Sequence, residues 1–191
     1  MNQTGWFGVI YGPMFSQKTS EAILRLRRRK SSPYGNKTCM VRFKIDTRYS
    51  SELVVSHDGM EIESISTETL TEIFDFLLEY DMIGIDEAQF FPDAYDVIFK
   101  LVVEYNKYVV AAALDTDFKG RPFNHVGDLI SIADYVEKRT AVCKACGSEN
   151  GIYSKRIGND TELIVIGGHA EYFTACRKCF FSDKPRLSVS Q

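Results

Sequence analysis

The sequence predicts an α/β fold, a mostly parallel sheet with helices on both faces, followed by a small metal-binding appendage. Three observations carry that expectation. Apolar strand-type runs alternate with segments of helical periodicity, a glycine-to-lysine loop joins the first strand to the first helix, and two Cys-x-x-Cys pairs lie in the C-terminal part. With 191 residues and 45% apolar content, the chain has ample material for the core of one domain plus an appendage. A net charge of −3 leaves no electrostatic footprint for nucleic acid as the main partner. The basic run Arg25 to Lys30 reads as a solvated or inter-subunit helix face. With no basic-then-apolar leader and no membrane-spanning run, a soluble, cytoplasmic protein without a membrane partner is expected.

Taken in order, Trp6 to Tyr11 reads as a short buried strand, and Thr19 to Lys30 as a helix with Ile23, Leu24 and Leu26 on its apolar side. Turn residues collect at 31–36, and Thr38 to Phe43 is the second strand, with Cys39 as a core thiol. Ile45 to Glu63 is polar and is expected to be irregular or hairpin-like. Ser66 or Thr67 is placed as the N-cap of a helix that carries Leu70, Ile73, Phe74, Leu77 and Leu78 and ends near Tyr80. Met82 to Ile85 is a strand closing on Asp86 and Glu87. A helix over Asp93 to Tyr105, a strand over Tyr108 to Leu114, a loop to Phe123, a short helix over Val126 to Ile132 and a strand over Tyr135 to Ala141 follow. Such alternation places ligands at the carboxyl ends of parallel strands.

Gly12-Pro13-Met14-Phe15-Ser16-Gln17-Lys18-Thr19-Ser20 is almost a P-loop. The pattern is Gly, four residues, then Gly-Lys-Ser/Thr, and Gln17 stands where the second glycine belongs. In such a loop the backbone N–H groups wrap an anion at a helix N-terminus, lysine adds charge for the outer phosphates, and the next hydroxyl binds Mg²⁺. The fold expected is therefore of the P-loop NTPase type, with the phosphates of a nucleotide and Mg²⁺ as its ligands. Glutamine at position 17 would carry strain of roughly 1–3 kcal/mol if a left-handed backbone is needed there. A strand running into Asp86-Glu87 is the Walker B arrangement, with Asp86 on the metal side and Glu87 as the base for an attacking hydroxyl. Arg48 is a nearby cation candidate.

Cys143, Cys146, Cys176 and Cys179 form two Cys-x-x-Cys pairs, the pattern of a closed tetrahedral structural zinc site. A redox-active pair would leave the second pair unexplained. A pair of strands and a loop would fill the long gap between the pairs.

Several blocks together resemble the cytosolic-type (type II) thymidine kinase family. They are Gly-Pro-Met-Phe-Ser at 12–16, Asp-Thr-Arg-Tyr-Ser-Ser at 46–51, Ile-Asp-Glu-Ala-Gln-Phe-Phe at 85–91 and Ala-Leu-Asp-Thr-Asp-Phe at 113–118. Thr-Ala-Val-Cys-Lys-Ala-Cys at 140–146, Val-Ile-Gly-Gly at 165–168 and Tyr-Phe-Thr-Ala-Cys-Arg-Lys-Cys at 172–179 continue the series in family order. The resemblance implies transfer of the γ-phosphate of ATP to the 5′-hydroxyl of thymidine, and of deoxyuridine, by a P-loop kinase domain (1–141) joined to a zinc-binding lasso domain (142–181); the polar residues 182–191 read by themselves as a flexible tail. It implies a homotetramer or an assembly of homologous subunits. It also implies Glu87 as general base, Lys18 as phosphate clamp, Thr19 and Asp86 as Mg²⁺ partners, and a thymine pocket formed by Met14, Gln89, Phe90, Leu114, Phe118, Phe123, Ser154 and Tyr172. The lasso, with Val165, Ile166 and Gly167, would grip the base largely through main-chain groups. Gln17 motivates a second reading, a catalytically impaired kinase-like subunit with a structural or regulatory role. A zinc-ribbon nucleic-acid-binding ATPase is disfavoured by the negative charge.

Overall fold

In the computed structural model, which describes residues 4–30, 37–44, 53–55, 61–158 and 171–182, the strand-type runs pair into a seven-stranded sheet. In chain order its members are β1 (Trp6–Tyr11), β2 (Thr38–Phe43), β3 (Leu53–Val55), β4 (Glu61–Thr67), β5 (Met82–Ile85), β6 (Tyr108–Ala113) and β7 (Tyr135–Lys138). The spatial order is β3-β4-β2-β5-β6-β1-β7, and each neighbouring pair is parallel except β3 with β4. β1 and β5 flank β6, so the loop after β1 and the acids after β5 leave the same edge of the sheet.

The pleat sends alternate side chains to opposite faces, and each face meets helices. Ile10, Met40, Met82, Val110 and Ala112 pack against Ala22, Ile23 and Leu26 of α1 (Lys18–Lys30). Phe7, Val9, Val41, Ile83, Ile85 and Ala111 face the other way, against Leu77 of α2 (Phe74–Leu77), Ala94, Val97, Ile98 and Leu101 of α3 (Ala94–Val103) and Val126 and Leu129 of α4 (Val126–Ser131). Ile23 and Leu26 are wholly buried and contribute about 1.5–3 kcal/mol each through apolar burial. Gly84 lets α1 approach this closely, because a Cβ there would lie 2.3 Å from Met40 Sδ and 2.7 Å from Leu26 Cδ1. Cys39 is buried in the core, as expected.

Several local expectations give way. Leu24 is 43% exposed; at 3.6 residues per turn the stripe through Ala22, Ile23 and Leu26 leaves it outside. The helix expected from Ser66 or Thr67 does not start there, since both residues belong to β4, paired with Arg42 and Phe43. A 3₁₀ turn at Thr71–Ile73 leads instead into the single turn of α2. Its entry is capped from a distance: the Asp93 carboxylate accepts the Leu70 N–H at 3.1 Å, the Thr71 N–H at 2.7 Å and the Thr71 hydroxyl at 2.6 Å. α3 stops at Val103, and Tyr105 is exposed. β7 stops at Lys138, because Ala141 pairs with Gly151 instead. The β3–β4 pair agrees with a hairpin-like reading of that region, while the turn at 31–36 and the 46–51 block lie outside the described residues.

Beyond the sheet, β8 (Gly151–Arg156) and β9 (Tyr172–Cys176) form a separate antiparallel pair, followed by the short α5 (Arg177–Phe180). These two strands lie in the gap between the cysteine pairs, as expected, and residues 159–170 between them lie outside the described residues. No described helix is long and apolar enough to cross a membrane.

Candidate active site

The loop between β1 and α1 is tied down from all sides. Gly12 has φ 149°, and a Cβ there would fall 2.3 Å from the Arg139 carbonyl oxygen, so this position requires glycine. The Pro13 carbonyl accepts bonds from Ser16 Oγ at 2.8 Å and Lys18 Nζ at 2.7 Å. The Met14 N–H donates to Ser154 Oγ of β8 at 2.9 Å, which ties the small sheet to the loop. Ser20 lies in the first turn of α1. Phe15 and Gln17 both take left-handed backbones, with φ 62° and 60°. The strain anticipated at position 17 is therefore present, about 1–3 kcal/mol, while the glutamine side chain is exposed. Burial of the Lys18 ammonium lowers its pKa, and the nearby Glu87, Asp86 and Asp115 charges oppose that effect.

Asp86 follows β5 and is buried, and its Oδ1 accepts the Thr19 hydroxyl at 2.9 Å and the Glu87 N–H at 3.1 Å. Burial and the neighbouring Glu87 raise its pKa to about 6, against the Thr19 hydrogen bond and the charges of Arg42 and Lys18. Glu87 is exposed, with a left-handed backbone at φ 53°, so the chain turns sharply between a buried and an open carboxylate. Gln89 is fully buried behind it: its Nε2 donates to Glu87 Oε2, and its Oε1 accepts the Leu114 N–H at 2.9 Å. The Asn124 amide donates to the Gln89 carbonyl at 2.8 Å, extending the support toward the loop after β6. Gln89 thus holds Glu87 in register with the end of β6. Hard oxygen ligands at Thr19 and Asp86 suit Mg²⁺.

The remaining predicted pocket residues meet in small groups beside this edge. Phe90 packs edge-on against the buried Phe123 at 5.5 Å. Phe118 lies 3.8 Å beneath the Arg156 guanidinium, and Arg156 donates to the Tyr172 hydroxyl at 2.6 Å. Ser154 and Tyr172, both buried, come from β8 and β9. Arg48, Val165, Ile166 and Gly167 lie outside the described residues. Three groups were not anticipated. Arg42 acts on Asp86 from the end of β2, Asp115 bonds Lys138 at 2.8 Å near Lys18, and Arg139 reaches the loop carbonyl of Ser16. Their signal in sequence was only a place at a strand end, which many solvated residues share.

The four cysteine sulfurs lie within 4.8 Å of one another. Four sulfurs bonded to zinc at about 2.3 Å stand roughly 3.8 Å apart at tetrahedral geometry. The separation between Cys146 and Cys176 is 3.8 Å, so the cluster fits the ion. Burial works against ionisation of Cys143, but hydrogen bonds from the Cys176, Ala145 and Cys146 backbones and the Cys146 side chain bring its pKa down to about 7, which favours thiolate ligation.

Residues 5–180 match the thymidine kinase family model. The chain belongs to the thymidine kinase family. Among its relatives, Thymidine kinase 1 of Dictyostelium discoideum is 40% identical over 185 residues, covering 94% of this chain and 79% of the relative. The thymidine kinases of vaccinia virus (strain Western Reserve) and monkeypox virus are each 39% identical over 179 residues, covering 94% of this chain and 98% of theirs. The span matched in this thymidine kinase family member includes both the loop after β1 and the four cysteines.

Proposed function

We propose that this chain is an active P-loop thymidine kinase that transfers the γ-phosphate of ATP to the 5′-hydroxyl of thymidine and of deoxyuridine. The observation that carries the reading is the convergence of Lys18, the Thr19–Asp86 hydrogen bond at 2.9 Å and the Gln89-held Glu87 at one sheet edge, in a member of this family. Thr19 and Asp86 would hold Mg²⁺, which when bound neutralises charge on the β- and γ-phosphates. Lys18 would leave the Pro13 carbonyl and bind the outer phosphates. Glu87 would accept the proton of the 5′-hydroxyl as that oxygen bonds to the γ-phosphorus and ADP departs. Met14, Phe90, Leu114, Phe118, Phe123, Ser154 and Tyr172 would enclose the base, and the segment through Val165, Ile166 and Gly167 would cover it with main-chain groups. Arg48 would add charge at the phosphates.

The four cysteines would hold a structural zinc ion in a lasso domain (142–181) attached to the kinase domain (1–141). With four thiolate ligands the ion has no open position for chemistry. A cytoplasmic setting and assembly into a tetramer of like chains complete the proposal, the latter open to native mass spectrometry. Retention of Lys18, Thr19, Asp86 and Glu87 speaks against the impaired-subunit reading. Thymidine-dependent ATP consumption by the purified chain is the test. Thymidine and deoxyuridine should turn over and deoxycytidine should not, because its base edge leaves buried polar groups unpaired. Comparable turnover of all three would sink the recognition mechanism, and absence of turnover would sink the function.

A further inference from the structure

We propose that Arg139 is a positioning residue for the phosphate-binding loop. By holding the Ser16 carbonyl it fixes the Ser16–Gln17 peptide and lets glutamine stand where the loop pattern has glycine. The inference rests on the nucleotide-binding reading given above.

Arg139 lies just past β7, where its N–H still bonds the Tyr11 carbonyl of β1 at 2.8 Å. Its carbonyl oxygen occupies the space that a Cβ on Gly12 would need. From this anchored backbone its Nε donates to the Ser16 carbonyl at 2.8 Å. Nη1 is held by Glu137 Oε1 at 2.8 Å and Glu21 Oε2 at 3.3 Å, so the guanidinium is clamped between β7 and α1. Glu137 is itself paired with Arg25 at 2.8 Å and accepts the Tyr135 hydroxyl at 3.0 Å. The group aimed at Ser16 is thus fixed at both its backbone and its far end.

A trans peptide directs its C=O and the following N–H to opposite sides. With the Ser16 carbonyl drawn toward Arg139, the Gln17 N–H points away from it and stays free to serve an anion. Gln17 has φ 60°, a region that L residues other than glycine avoid. Flipping the 16–17 peptide would relieve that conformation by carrying φ of Gln17 to a negative value. The same flip would turn a carbonyl oxygen to where the N–H had been, which repels phosphate. Arg139 opposes the flip with a charge-assisted hydrogen bond. A glycine at 17 has no such preference and would not need the clamp.

The test is a double-mutant cycle on Arg139 and Gln17, read by calorimetric binding of Mg·ADP and by steady-state KM values. Arg139→Ala should weaken ADP binding and raise the ATP KM by about tenfold, as expected for one charged hydrogen bond. The thymidine KM should stay within about twofold, because the base side keeps its own contacts. In the Gln17→Gly background the same substitution should change ADP affinity by less than about twofold. Should alanine fail to fold, Arg139→Met keeps the aliphatic stem without a donor and should behave alike. Equal losses in both backgrounds, or unchanged ADP affinity in Arg139→Ala, would overturn the proposal. Because ADP binding needs no thymidine, a native chain that binds ADP without phosphorylating thymidine refutes the kinase reading and leaves this inference standing. A native chain that binds no ADP refutes both.

Discussion

The proposed phosphate side and the proposed base side of the site are built differently. On the phosphate side, Lys18 and Thr19 open α1 and Asp86 directly follows β5, all at one edge of the main sheet, and each polar group has a short hydrogen bond to a neighbour. On the base side, Ser154 and Tyr172 come from a two-stranded sheet next to the cysteine cluster, and Phe118 from a loop held by the Arg156 guanidinium. A two-stranded sheet has little stability of its own, so on this proposal the base side would depend on a metal held by the cysteines where the phosphate side depends on the sheet core. Among the described residues the hydrogen bond from Met14 N–H to Ser154 Oγ ties the loop to the small sheet, so loss of order in that sheet would be felt at the loop.

The largest effect should come from Glu87→Gln, which keeps the shape and removes the proton acceptor. We expect kcat to fall by about 10²–10⁴ with both substrate KM values little changed. A large rise in thymidine KM with intact kcat would move Glu87 from the phosphate side to the base side. Next, Cys143→Ser should abolish high-affinity zinc and raise the thymidine KM at least about tenfold, while Mg·ADP binding falls far less. Metal content by mass spectrometry and ADP calorimetry check the two halves separately, and parallel loss of both would erase the distinction.

A smaller effect concerns Asp86. Its folded pKa is raised to about 6, so the metal-free native state favours the protonated acid. That contribution to stability is full below the ordinary carboxylate pKa of about 3.9 and is lost as pH rises through about 6. The thermal midpoint of Asp86→Asn, measured without Mg²⁺, should therefore gain on the native chain over that window. A constant difference would show that Asp86 is not desolvated as its burial implies. The smallest effect is on Gln17→Gly. It should raise stability by about 1 kcal/mol at most, since relief of the left-handed conformation is offset by the greater freedom of the unfolded chain. At this chain length that is a rise of roughly 2–4 °C in Tm.

Much of the main sheet was legible because its signals are local. The runs that became β1, β2, β5 and β6 are short, apolar and bounded by turn residues, and strand alternation with helices dictates a parallel sheet. Helix ends were less legible. Thr67 has the chemistry of an N-cap, but β2 claims it as a strand partner, and the capping is done by Asp93 from another segment. In the same way Gln89 reads in sequence as a pocket residue, and only the tertiary structure shows that its amide also bridges Glu87 and the Leu114 N–H.

From sequence alone came the chemistry of the site: a lysine and hydroxyl at a strand-to-helix turn, adjacent acids at a second strand end, and two cysteine pairs. These depend on residue type and spacing within a few positions, which the chain carries wherever it folds. Tertiary structure alone decided how those groups are held. The Ser16 carbonyl meets Arg139 across 123 positions, and Met14 meets Ser154 across 140. Such contacts have no periodicity to announce them, because strand order rather than sequence distance brings their partners together.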